Sequence, residues 1–145
     1  MRIIASVKDP GRLGDIGDVI HDCWFELQDL TFEPTTSTLS IKFARLSVES
    51  SRMLNRGWLL KRWEIPIIDC YLHVHNVENY EIKDTERVGT YNFNDLEYDP
   101  NRSRITITTG IPIGIQITVR EVEVVVEETD NVVGVKRIRT IFDLA

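Results

Sequence analysis

Apolar and polar residues alternate along most of this chain, most strictly between Tyr91 and Thr129. Tyr91 and Phe93, then Leu96 and Tyr98, precede an Asp99-Pro100-Asn101-Arg102 turn, and Ile105, Ile107, Ile111, Ile113, Ile115, Ile117 and Val119 follow it. A period of two with β-branched residues is the pattern of strands that bury one face. Gly110 and Gly114 flank Ile111-Pro112-Ile113, which predicts two strands joined by a tight corner. Val122, Val124 and Val126 resume the alternation out of phase with Val119. Asp130-Asn131 is a turn signal, and Val132–Phe142 reads as a last, separate strand.

The amino-terminal half follows the same logic. Residues 1–8 can form a short strand that Asp9-Pro10-Gly11 ends. Leu13, Ile16 and Ile20 recur at helical spacing, which predicts one or two turns of amphipathic helix, weakened by Gly14 and Gly17. Cys23–Glu33 and Thr38–Glu49 read as a hairpin across Pro34-Thr35-Thr36-Ser37. In its first strand Phe25 and Leu27 share one phase, and Leu30 and Phe32 take the other. In its second, Leu39, Ile41 and Phe43 give way to Leu46 and Val48. Paired slips of this kind predict bulges or a sharp bend, and so a curled sheet.

Ser50–Gly57 shows no period and reads as a loop or helical turn. Trp58–Asn76 is strand-like but interrupted at Pro66, which suggests an edge position or a bulge. Beyond it Ile68, Cys70, Leu72 and Val74 face one way, towards a core, and Asp69, Tyr71, His73 and His75 the other. Tyr80–Lys83 is a further short strand. The count is about nine strands without crossover helices, which predicts one all-β, mainly antiparallel domain over residues 1–145, a sandwich or partly open barrel.

Composition narrows the partners more than the chemistry. Hydrophobic residues make up 42% and charged residues 28%, an ordinary globular balance. The net charge of −6 argues against a general nucleic-acid binder. No run reaches the ~18 apolar residues that cross a bilayer, and the start lacks an export core, so the expectation is a cytoplasmic protein with no membrane contact. Cys23 and Cys70 are then two reduced, half-buried thiols.

Among candidate sites, His73-Val74-His75 is the sharpest. Residues two apart on a strand project the same way and can share a metal, and His21 would complete a three-imidazole zinc site if the fold brought it there. Asp95, Glu97 and Asp99 imitate the start of a calcium loop, but Pro100 and Thr106 stand where glycine and glutamate belong. Gly11, Gly14 and Gly17 fit no phosphate-binding template, and no nucleophile elbow is present. With no catalytic template and no cofactor motif, the leading expectation is a non-enzymatic protein-interaction or oligomeric module. Its contact patch is Arg52, Arg56, Trp58, Arg62 and Trp63, since Trp and Arg dominate interface hot spots. A metal-dependent enzyme or sensor on the three histidines is the second expectation. A carrier of a small ligand in a barrel cavity is the third.

Overall fold

A computed structural model describes residues 1–141 of the chain. It is an antiparallel sheet of ten strands: β1 (Arg2–Val7), β2 (Trp24–Glu33), β3 (Thr38–Leu46), β4 (Arg52–Arg56), β5 (Lys61–Val74), β6 (Val77–Lys83), β7 (Thr90–Asp99), β8 (Arg104–Thr109), β9 (Gly114–Val119) and β10 (Val124–Thr140). Hydrogen bonding runs β1-β10-β5-β3-β2-β7-β8-β9-β6, so the curled sheet keeps two edges and does not close, and β4 flanks β5 off that path. One helix, α1 (Leu13–Ile20), buries Leu13, Ile16, Gly17 and Ile20 against β7, β1 and β10. The helical spacing of the apolar positions is the reason: those residues fall on one face. Gly17 permits the approach to β7, because a Cβ there would sit 2.0 Å from the Asp95 carboxylate oxygen.

Alternation in the second half of the chain becomes one inner surface. Ile105, Ile107, Ile115 and Ile117 are buried and join Leu72, Val74, Val124 and Val126 in a single core cluster. At its centre Phe93 stacks on Phe25 with ring centroids 4.4 Å apart and meets Phe43 edge-on at 5.4 Å. That aromatic knot ties β2, β3 and β7 together, so the interior is filled by side chains.

The expected phase change in β2 is a bulge, and β7, where the apolar phase shifts between Phe93 and Leu96, carries another. β2 and β3 shift register between Phe25 and Leu30, and β7 and β8 shift between Phe93 and Asp95. The expected slip in β3 is not one. β3 stays in register with β5 from Leu39 to Leu46, and Leu46 and Val48 simply face outward. All the extra length of the hairpin therefore lies in β2.

Three other expectations need correction. Residues read as a loop contain β4, whose five residues are all exposed. With neither face buried, no alternation was available to mark it. Val132 does not open a new strand: β10 runs unbroken past Asp130-Asn131, and the turn residues form a bulge opposite β5. Asn131 donates to the buried Asp69 carboxylate at 2.9 Å, and Thr129 to the Asp69 carbonyl at 2.8 Å, which fixes the bulge. Lastly, Pro66 does not interrupt β5. Its carbonyl accepts from Ser47 N at 2.9 Å, where β3 has ended and β4 has not begun. The side of the proline without an N–H thus faces a local gap between neighbours, as the missing donor requires.

Candidate interaction surface

Past this gap the sheet narrows. β1 pairs with β10 only as far as Glu128, and β3 with β5 only as far as Ile67. Beyond them β5 and β10 continue as a ribbon, Ile67↔Gly134 to Lys61↔Thr140, with β4 on its flank. The result is a three-stranded arm on the body. Its apex is the β4–β5 turn, where Gly57 N donates to the Leu60 carbonyl at 2.9 Å and leaves Trp58 and Leu59 between them. Trp58 is 93% exposed and Leu59 67%.

The buried face of β5 changes sides at the root of the arm. In the body Ile68, Cys70, Leu72 and Val74 point inward; in the arm Trp63 and Ile65 are buried, from the alternate phase and outside the central cluster. Trp63 shares a row with Met53 and Ile138. Its indole N–H donates to Thr140 Oγ1 at 2.7 Å. It therefore holds the arm together and does not present itself to a partner, contrary to its place in the expected patch.

The other members of that patch are exposed. Arg52 lies 3.7 Å from Glu64, which Arg137 also approaches at 3.5 Å. Arg62 stands directly opposite Arg139 on β10, with Asn55 opposite on β4. Neither of these two arginines has a carboxylate within ion-pair distance among the described residues. They share a cleft of about 310 Å³ with Asn55, Gly57, Trp58, Leu59 and Leu60. Arg56 is exposed beside the apex.

The net charge conceals a segregation. Residues 52–65 and 132–141 hold seven of the seventeen Lys and Arg of the chain but only one of its twenty-three Asp and Glu, Glu64. The other described residues carry ten cations against twenty-one acids. A basic arm stands on an acidic body. Composition of the whole chain could not show this, because Lys136, Arg137 and Arg139 are distant in sequence from the β4–β5 cluster and meet it only through strand pairing.

The three histidines do not converge. His73, on the outer face of β5, and His75, one residue past its end, have ring centroids 6.1 Å apart, and Tyr71 stacks on His73 at 5.7 Å. Their Nδ1 atoms are engaged by Ser40 Oγ at 2.6 Å and Thr38 Oγ1 at 2.9 Å. Burial pushes the His73 pKa below its usual range, against the opposing pull of Glu127 at 3.5 Å. His21 lies instead at the end of α1, its Nδ1 3.0 Å from the Asn94 carbonyl, and that contact with Asp22 raises its pKa. Among the described residues no three His, Cys, Asp or Glu gather as metal ligands.

Neither thiol is placed for chemistry. Cys70 is fully buried in the core and Cys23 half-buried; burial pushes their pKa values up to about 12 and about 11. A cleft of about 670 Å³ opens beside Cys23, lined by Val19, Trp24, Leu46, Ile67, Arg45 and Lys136 among others. It lies at the surface between the α1–β2 turn and the root of the arm, not within the curled sheet, where the expected carrier cavity would have to be. No helix among the described residues is long and apolar enough to cross a membrane. Comparison with protein-family models, with curated proteins and with solved structures gave no match.

Proposed function

We propose that the protein is a non-enzymatic protein-interaction module that receives an acidic segment of a partner on the free edge of β4. The observation that carries this reading is β4 itself: paired with β5 on one side only, exposed at all five residues, and flanked by Arg52 and Arg56. An unpaired strand edge offers a ladder of backbone donors and acceptors to an added strand. The arginines select its charge. A second copy pairing antiparallel about Leu54 would set Arg52 against Arg56, and like charges directly opposite are destabilising. An acidic strand meets no such penalty and gains from the basic field of the arm.

Site-specific photo-cross-linking tests it. A benzophenone amino acid at Leu54 is compared with one at Tyr80 on β6, the edge at the far end of the sheet. The expected result is a discrete protein adduct from position 54, absent from position 80 and lost when Arg52 and Arg56 are changed to Glu. Adducts at both edges, none at position 54, or an adduct of two copies of this chain would each overturn the reading.

A further inference from the structure

The apex of the arm is a different feature from the β4 edge, and the edge reading leaves it unused. Trp58 and Leu59 occupy the two-residue tip of the hairpin and Leu60 follows, 39% exposed. Consecutive apolar side chains at a protruding tip have no pocket of their own to fill. Just behind them Arg62 and Arg139 stand side by side, open to the cleft that Trp58 and Asn55 also line. Cross-strand neighbours of like charge repel, so the pair is a standing demand for an anion. Behind the arm lies the acidic body. The order outward is therefore acidic body, cationic collar, apolar tip.

We propose that this apex docks on an anionic phospholipid surface. Trp58 and Leu59 enter the interfacial region, and Arg62 with Arg139 holds a headgroup phosphate oxygen. Tryptophan is favoured at the membrane–water boundary because its ring is apolar and its N–H is wetted. Cations near a negatively charged leaflet are each drawn to it. Two apolar side chains give only marginal binding, so the basic collar has to supply the second part of the anchor. The charge segregation orients the encounter, since an anionic surface repels the body and attracts the arm. A protein partner is a weaker fit for the apex, because a stable interface buries about 800 Å² on each side and a two-residue tip offers far less.

Vesicle co-sedimentation of the full chain tests the inference, using phosphatidylcholine vesicles with and without phosphatidylserine. Binding should require phosphatidylserine. It should weaken about ten-fold or more in Arg62→Gln/Arg139→Gln, from the loss of two collar charges, and likewise in Trp58→Ser/Leu59→Ser. Both variants change exposed residues, and circular dichroism verifies that the sheet is intact. Arg102→Gln, at the far β7–β8 turn, should bind as the parent does. Absence of binding, equal binding without phosphatidylserine, or full binding by either apex variant overturns the proposal. Displacement by inorganic phosphate would reassign the arginine pair to a soluble anion, and equal retention on polyglutamate would reassign the apex to an acidic protein.

Discussion

Replacing Trp63 with alanine should loosen the arm while leaving the body folded. Trp63 is only 7% exposed, yet it packs outside the central core cluster. An aromatic side chain of this size buries ~150–250 Å². At ~25 cal/mol per Å² that is worth about 4–6 kcal/mol, an upper bound because unfolded chains already bury some of it. Truncations of this kind cost ~3–5 kcal/mol when measured in cores. Loss of the 2.7 Å bond to Thr140 is included in that range. The penalty falls on the ribbon of β4, the start of β5 and the end of β10, since Trp63 lies outside the core cluster that holds the aromatic knot and pairs with Met53 and Ile138. Native-state hydrogen exchange reads it out directly. A loss of ~3 kcal/mol should accelerate exchange on the order of a hundred-fold for amides of Met53, Lys61–Ile65 and Arg137–Thr140. Amides of Cys70–Val74 and Ile105–Ile107 should keep their protection. Uniform acceleration through both regions, or unchanged exchange in the arm, would refute the division of the molecule into two packing units.

Phe93→Ala, by contrast, removes the ring between Phe25 and Phe43 and should lower global stability by ~3–5 kcal/mol, read as a shift in the urea midpoint; a loss under about 1 kcal/mol would contradict the aromatic core. Stability should also respond to acid through His73. Its folded pKa lies below the unfolded value of ~6.5, so its contribution is present above that pH and lost as pH falls through it. His73→Gln should therefore flatten the stability profile below about pH 6.5. His21 carries the opposite sign, being raised on folding, so His21→Gln should steepen the acid loss. Denaturant midpoints measured across that range decide both. Finally, neither Cys23 nor Cys70 should react with a disulfide reagent in the native protein at mildly alkaline pH, and both should react in denaturant, because burial holds each thiol protonated.

Most of the fold was legible where one face of a strand is wet and the other dry. Ile105 to Val119 and Ile68 to Val74 show that contrast residue by residue, and the α1 stripe of Leu13, Ile16 and Ile20 shows it at helical spacing. The reading failed where the contrast vanishes. β4 is exposed on both faces, and β10 crosses a bulge whose Asp130-Asn131 resembles a turn until the distant Asp69 is seen to hold it. In β3, Leu46 changes phase with no bulge, an apolar residue left facing water. Four of the five patch residues are where a partner can reach them. The fifth, Trp63, was indistinguishable from Trp58 by composition, since only pairing with Met53 and Ile138 and the reach of Thr140 decide which indole is covered. The role of Arg137 and Arg139 was hidden because it depends on the register of β10 against β5.

The unbroken passage of β5 and β10 from body to arm has a mechanical consequence. β5 is paired on both sides from Lys61 to Glu64, which stiffens the outer arm, and bending is left to the root, where Pro66 faces the gap and β10 is bulged. From Ile67 to Lys61 the ribbon extends roughly 20 Å at ~3.3 Å per residue. Whatever the tip rests on, the acidic bulk is kept at about that standoff, and a change of tilt falls at the Pro66 root.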